Sequence, residues 1–241
     1  MTEEDFIDFR CPHCQQPNSF LSDMAGTAQA CPICQETVIV PPQSCEAGGQ
    51  LPLPVSQPRL VLRRLQPGDW KDLLELMSDD ELFRFVPWYP LEEQDLLHWL
   101  ESDQAVRITH AGQALNLGVE LKGSGKLVGY LSQSFTDDTR RQVSVGVFLS
   151  RDAVSQGIGS EALHAAFEFG FRGLGLLRMT SHCDSRNAAL RQMCEAAGMR
   201  REGEFLKDRF VKGEWVNTVH FATLREEYEA DPRRPAGIPS A

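Results

Sequence analysis

The sequence lacks any run of about 18 apolar residues, the least that a bilayer-crossing helix needs. No membrane-spanning helix is therefore expected among its 241 residues. It also lacks an excess of positive charge. Its 24 basic and 34 acidic residues leave a net charge of −10, a poor general match for nucleic acid or an anionic membrane. The opening MTEEDFIDF is acidic where a secretory leader would be basic and then apolar, so a cytoplasmic location is expected. Apolar residues are not lacking: 41% hydrophobic and 24% charged is ordinary globular usage, and too apolar for a disordered chain. The length allows one to two domains.

Basic residues are scarcest at the start. Residues 1–50 hold one, Arg10, against seven carboxylates, which is −6, while the remainder carries −4. Five of the seven cysteines also fall before residue 46. Four of them, Cys11, Cys14, Cys31 and Cys34, read CPHC, 16 residues, CPIC. Each CxxC lets one tight turn bring two sulfurs to about 2.3 Å from a single metal, and two such turns complete a tetrahedron. The proline after each first cysteine presets φ for the turn. Two disulfides fit less well in a reducing compartment and in so small a domain. Phe6–Phe9 and Thr37–Val40 look like strands. The segment resembles a zinc ribbon, although Gln15 and Gln35 stand where ribbons often carry glycine. A closed four-thiolate site has no open position, so the zinc is expected to be structural. Zinc with four thiolates adds about two negative charges. A protein partner for the ribbon is therefore expected rather than nucleic acid. His13 reads as a solvent-facing turn residue and Cys45 as an idle thiol.

The expected organisation is a ribbon over 1–45, a linker over 46–58, a large domain over 59–228 and a disordered tail over 229–241. Residues 41–58 contain five prolines and two glycines, a semi-extended tether. Beyond them the pattern predicts a strand at Arg59–Arg63, a helix at Trp70–Met77 and a short helix from Asp79 to Phe85. An aromatic loop, Val86–Pro90, and a helix over Leu91–Leu100 come next. Strands follow at Ala105–Ile108, Leu115–Leu121, Lys126–Ser134 and Gln142–Leu149. After the last strand and a loop, Ser150–Ser155, comes the turn Gln156-Gly157-Ile158-Gly159-Ser160 and a helix over Glu161–Phe171. Glycine lets this backbone curl close to a ligand. Successive N–H groups at a helix start favour phosphate or pyrophosphate. With neither a Walker lysine nor a third glycine, a nucleotide P-loop or dinucleotide fold is not supported. A strand at Leu176–Cys183, a helix at Ala188–Ala197 ended by Gly198, and a hairpin of about Arg200–Val211 and Trp215–Leu224 complete the pattern.

In this order, PRLVLRRL, MSDDELFRFVPWYPL, KLVGYLS, VGVFLSRDAVSQGIGSEAL, NAALRQMCEAAGM and NTVHFATLREEY resemble the GNAT N-acetyltransferase superfamily. The likeness is to its Rim-type branch of ribosomal-protein N-terminal acetyltransferases and spans residues 59–228. The resemblance implies an α/β (α+β) GNAT fold, with a mixed, mostly antiparallel, V-splayed sheet flanked by helices. It implies an acetyl-CoA-dependent N-acetyltransferase whose acceptor, a protein N-terminus or a small primary amine, attacks directly in a ternary complex. Val147, Phe148 and Leu149 would then line the pantetheine. Gln156, Gly157, Ile158, Gly159 and Ser160 would offer N–H groups to the pyrophosphate, and Asn187 would hydrogen-bond the pantetheine arm. The N–H near Val147 would polarise the thioester carbonyl. Val154 stands where the family usually has arginine or glutamine, which leaves Arg151 as the nearby cation.

Three family positions depart from the pattern: Ser144 where glutamate is frequent, Leu190 where serine is frequent, and Cys194 where other branches place tyrosine. Candidates for acid–base work are therefore Ser144, Cys194, Glu120 on a central strand and His182 at a strand end. Cys194 also fits a buried apolar residue on the inner face of its helix. Trp88 and Tyr89 would wall the acceptor pocket. His98, His110, His164 and His220 read as structural or surface residues. The missing acid–base residues leave a second function class: a degenerate CoA-binding sensor or interaction module that docks through the ribbon. A cavity continuous from the CoA slot to Trp88 would favour transfer, and a plugged acceptor side would favour sensing.

Overall fold

The computed structural model describes residues 6–11, 17–40, 53–104, 114–136 and 141–231. The first part is built from two antiparallel hairpins. Strand β1 (Phe6–Arg10) pairs with β2 (Pro17–Leu21), and β3 (Ala28–Ala30) pairs with β4 (Thr37–Ile39). Their small core consists of Ile7, Val38 and Val40 with the buried Cys11 and Cys31. Each of these two cysteines directly follows a strand, β1 or β3. The second turn closes through Cys31 N–H to Glu36 O and Gln35 N–H to Cys31 O. Gln35 sits at φ 63°, the left-handed region that favours glycine, so the departure noted at this position carries backbone strain. His13, Cys14 and Gln15 lie outside the described residues, as does Cys45.

The large domain is one eight-stranded sheet ordered β11-β12-β10-β9-β8-β7-β6-β5. In chain order the strands are β5 (Val55–Ser56), β6 (Leu60–Arg64), β7 (Ala114–Leu121), β8 (Leu127–Phe135), β9 (Gln142–Leu149), β10 (Arg178–Asp184), β11 (Arg200–Val211) and β12 (Glu214–Leu224). Every neighbouring pair is antiparallel except β9 with β10. The sheet thus begins at Val55, within the stretch read as linker. The strand expected over Ala105–Ile108 lies outside the described residues.

Alternation divides the sheet into two faces. Leu115, Leu117, Leu131, Val143 and Val145 face the core that holds α4 (Ile158–Phe167) and α5 (Ala188–Ala196). Tyr130, Leu127 and Phe148 face α1 (Trp70–Met77) and α2 (Glu93–Gln104). Helix α1 buries Leu73, Leu76 and Met77, one stripe at helical spacing. Each contributes about 1.5–3 kcal/mol by leaving water. Helix α5 is capped by Asn187, whose Oδ1 accepts from Leu190 N–H at 3.0 Å, a cap worth about 1 kcal/mol. It ends through Gly198, whose N–H reaches Glu195 O.

Three local expectations change. Asp79–Val86 forms successive i→i+3 turns rather than a helix. Pro87 keeps the residue before it out of helical geometry and so closes the segment. Ser150–Ser155 is not a loop: Ser150 caps a short helix, α3 (Arg151–Ser155), through Ala153 N–H. At the C-terminus, α6 (Arg225–Ala230) continues past residue 228. Tyr228 is buried, and Glu227 accepts from Leu224 N–H. Among the described residues, no helix is long and apolar enough to cross a membrane.

Candidate active site

The parallel pairing of β9 and β10 is short. It runs from Gln142↔Arg178 to Ser144↔Thr180 and stops. Ser181 Oγ then reaches across to Val145 O at 2.9 Å, and beyond it no ladder joins the strands. The free edge of β9 can be read from its other side. Ser150 N–H donates to Val128 O, so Gly146 and Phe148 are the residues that exchange bonds with β8. Val147 and Leu149 therefore turn their N–H and C=O groups into the opening between β9 and β10. The pairing of β9 with β10 thus ends at Ser144↔Thr180, where the family resemblance implied a splay.

The glycine turn lies at the end of β9. Gly157 takes φ 72° as the residue before α4, a conformation that costs glycine little. Arg59 ties the turn from outside: its guanidinium donates to Gln156 O at 2.7 Å and Gly157 O at 3.2 Å and pairs with Glu161 at 2.7 Å. Gln156 N–H and Gly157 N–H are engaged with Asp152 O and Val154 O. This corrects the expectation that both serve a ligand. The N–H groups of Ile158, Gly159 and Ser160 have no acceptor among the described residues and stand at the positive end of α4. Gly159 is also a close-approach site, since a Cβ there would lie 2.0 Å from Met193 Sδ. Arg151 is held by Asp79 at 2.6 and 2.8 Å, so the nearby cation is already neutralised.

A cleft of about 490 Å³ opens on the α1–α2 face of the sheet. Val147, Asn187 and Leu190 line its slot side, and Trp88 and Tyr89 its far side. The slot and the aromatic loop therefore belong to one cavity, whereas residues 156–160 are not part of its lining. Its wall is a run of aromatic contacts: Tyr130 stacks on Phe148 at 4.9 Å, while Trp99 meets Tyr130 at 5.6 Å and Trp88 meets Phe148 at 5.9 Å with tilted rings. The aromatic loop is pinned to the β11–β12 hairpin by Lys212. Its Nζ lies 4.7 Å over the Tyr89 ring and donates to Phe83 O at 2.6 Å.

Of the four acid–base candidates, Ser144 and His182 meet in this cleft, with Oγ 3.4 Å from Nδ1. Burial, helped by Arg209 and His220, lowers the His182 pKa to about 4, with Asp208 opposing. The imidazole is therefore neutral at pH 7. His220, read as structural, stacks on His182 at 5.5 Å. Glu120 is a correction: it pairs with Arg63 at 2.6 Å, beside Asp69, and does not line the cleft. Cys194 is another. It is fully buried and outside the lining, and burial pushes its thiol up to about 12, against a hydrogen bond from Ser181. Leu149 contributes backbone only, since its side chain is in the core. His98 is exposed and His164 packs on Phe167, while His110 lies outside the described residues.

Sequence reading missed Arg59, Asn116, Ser132, Ser134, Arg209 and Thr218. The last five line the cleft and lie on strands, where only the pairing register shows which face they take.

Between the two N-terminal hairpins, the Sγ atoms of Cys11, Cys31 and Cys34 lie within 4.8 Å of one another. Cys11 Sγ and Cys34 Sγ are 3.7 Å apart. Burial would raise the Cys31 pKa, but N–H groups of Cys34 and Ile33 and the Asn18 amide outweigh it and lower it to about 6.

The fold agrees with the comparisons. The model for the acetyltransferase (GNAT) domain matches residues 59–200, and the chain belongs to that family of N-acetyltransferases. It is similar to the uncharacterized N-acetyltransferase YnaD of Bacillus subtilis, 27% identical over 72% of this chain and 98% of the relative. Among solved structures it resembles a spermidine N-acetyltransferase of Vibrio cholerae in complex with CoA and spermine. That likeness has a TM-score of 0.62 and 18% identity, and covers 72% of this chain and 99% of the other. It also resembles a ribosomal L7/L12 α-N-protein acetyltransferase, RimL, in complex with coenzyme A. Here the TM-score is 0.63 and the identity 19%, over 71% of this chain and 97% of that one.

Proposed function

We propose that this chain transfers an acetyl group from acetyl-CoA to a primary amine by direct attack in a ternary complex. The observation that carries the reading is the splay of β9 from β10, which opens into one cavity running from Asn187 to Trp88. Pantetheine would lie in the splay as an extra strand on β9, bonded to the backbone of Val147. Asn187 Oδ1 is taken by its own cap, so its amide Nδ2 is the group available to the pantetheine. The N–H groups of Ile158, Gly159 and Ser160 would take the pyrophosphate.

In the transfer step the amine lone pair attacks the thioester carbonyl. The C–N bond forms, the C–S bond breaks, and CoA leaves as thiolate to be protonated from solvent. Holding amine and thioester together supplies several kcal/mol of the barrier, and the N–H of Val147 stabilises the developing oxyanion. The amine also releases a proton. Ser144 with neutral His182 is the acceptor on this face, directly or through water. The undivided cavity also favours transfer over a sensor with a plugged acceptor side. Isothermal titration of acetyl-CoA, followed by an acceptor screen with thiol detection, tests the reading: one site per chain and acceptor-dependent CoA release are expected. A folded protein that neither binds nor hydrolyses acetyl-CoA would exclude it.

For the ribbon, the proposal is a structural zinc held by Cys11, Cys31, Cys34 and Cys14, the last outside the described residues. The donor set fits: a tetrahedron with Zn–S bonds of about 2.3 Å has edges of about 3.8 Å, against 3.7 Å between Cys11 and Cys34. The depressed Cys31 pKa suits a thiolate ligand. The zinc would tie the two hairpins into one unit, which would serve as a docking accessory for a protein partner.

A further inference from the structure

Among the described residues lining the cleft, two carry a charge at pH 7, Asp184 and Arg209. Asp184 is already engaged. Its side chain is 1% exposed and is held by the backbone N–H and the guanidinium of Arg186 at 2.7–2.9 Å. Arg209 is different. Eight other arginines each hold a carboxylate, whereas Arg209 has no ion pair or hydrogen bond among the described residues. It lies on β11 opposite Val216, just past a register shift, and with Val211 it faces the cleft. Phe210, between them, pairs outward with Trp215. Although Arg209 is exposed, its charge is felt at His182, opposed there by Asp208, which accepts from Thr218 and is not part of the lining.

This arrangement discriminates between amines. A polyamine would bring further ammonium groups toward an unneutralised guanidinium and find no available carboxylate in the described lining. An amine with a carboxylate on the adjacent carbon would place that carboxylate on the guanidinium fork, where two parallel hydrogen bonds can form. Its side chain would then meet the wall of Trp88, Trp99, Tyr130 and Phe148. We propose that the acceptor is an α-amino acid with an apolar or aromatic side chain, and that Arg209 selects it by its carboxylate. The proposal rests on the transferase reading and names its substrate class. Pairing would also remove a positive charge beside His182, making it a better proton acceptor when the correct substrate is bound.

The test measures kcat/KM for proteinogenic L-amino acids, their carboxamides and spermidine, on the full chain and on Arg209→Gln. Acetyl-CoA affinity is measured on the same samples. The free acid of at least one apolar or aromatic residue is expected to exceed its carboxamide by about tenfold or more. In Arg209→Gln that preference collapses through a raised KM, while acetyl-CoA affinity stays unchanged. Equal use of acid and amide, preference for spermidine, retained preference in Arg209→Gln, or no turnover by protein that binds acetyl-CoA each overturns the proposal. Failure to bind acetyl-CoA instead removes the transferase reading beneath it.

Discussion

His182 is the side chain on which the proposed proton transfer rests. Its pKa of about 4 means that it is neutral above that pH and loses its acceptor role only below it. The profile of kcat/KM should therefore show no step near the ordinary histidine value of about 6.5. It should instead rise with pH as the acceptor amine deprotonates. Arg209→Gln removes one of the charges that depress the imidazole, so any acidic limb from His182 moves upward in that variant. His182→Ala should lower kcat by about 10²–10⁴-fold and leave acetyl-CoA affinity intact, checked by steady-state kinetics beside calorimetry. Glu120→Gln provides the contrast. It loses an ion pair with Arg63 outside the cleft, so kcat should hold while chemical denaturation registers a loss of about 1 kcal/mol. The sequence offered Glu120 and His182 on equal terms. What separates them is strand register, which sets Val61 opposite Glu120 and lets Arg63 close on it.

At the scale of elements, the strand–turn–helix unit from Gln142 to Phe167 was legible in outline, because alternation, glycine spacing and helical periodicity agree there, although the expected loop Ser150–Ser155 is a short helix. Its finer use was not. Arg59 is 97 residues from Gln156, and nothing local predicts that it fixes the carbonyl side of the turn and leaves the N–H groups on the other. Gly159→Trp should abolish acetyl-CoA binding in titration calorimetry by filling the approach to α4. Because Met193 already crowds the position, overpacking will also cost about 1–3 kcal/mol. Asn187→Ala is the milder companion: about 1 kcal/mol of stability from the lost cap, with weaker acetyl-CoA binding. If Gly159→Trp stays folded and binds normally, the pyrophosphate is not at this turn. The β11–β12 hairpin was the least legible element for function. Its register shifts between Arg201 and Gly203 and between Phe205 and Arg209 break the alternation. The period of two therefore could not say that Arg209, itself exposed to solvent, lines the cleft.

At the scale of the whole molecule, the acidic, cysteine-rich start and the near-balanced remainder read as two parts, and each has its own core. Metal analysis of the purified chain should return about one zinc per chain, lost in Cys31→Ser. Acetyl-CoA binding should survive that loss, because the eight-stranded sheet does not draw its core from the N-terminal hairpins. A Cys31→Ser protein that keeps its zinc would remove the proposed site.

On the proposed function, the splay between β9 and β10, continued into the Ser144–His182 cleft, carries acetyl-CoA-dependent transfer. Titration calorimetry of the full chain with acetyl-CoA tests it most directly. One saturable site per chain is expected, lost in Gly159→Trp and kept in His182→Ala. A folded wild-type chain that takes up no acetyl-CoA would contradict it.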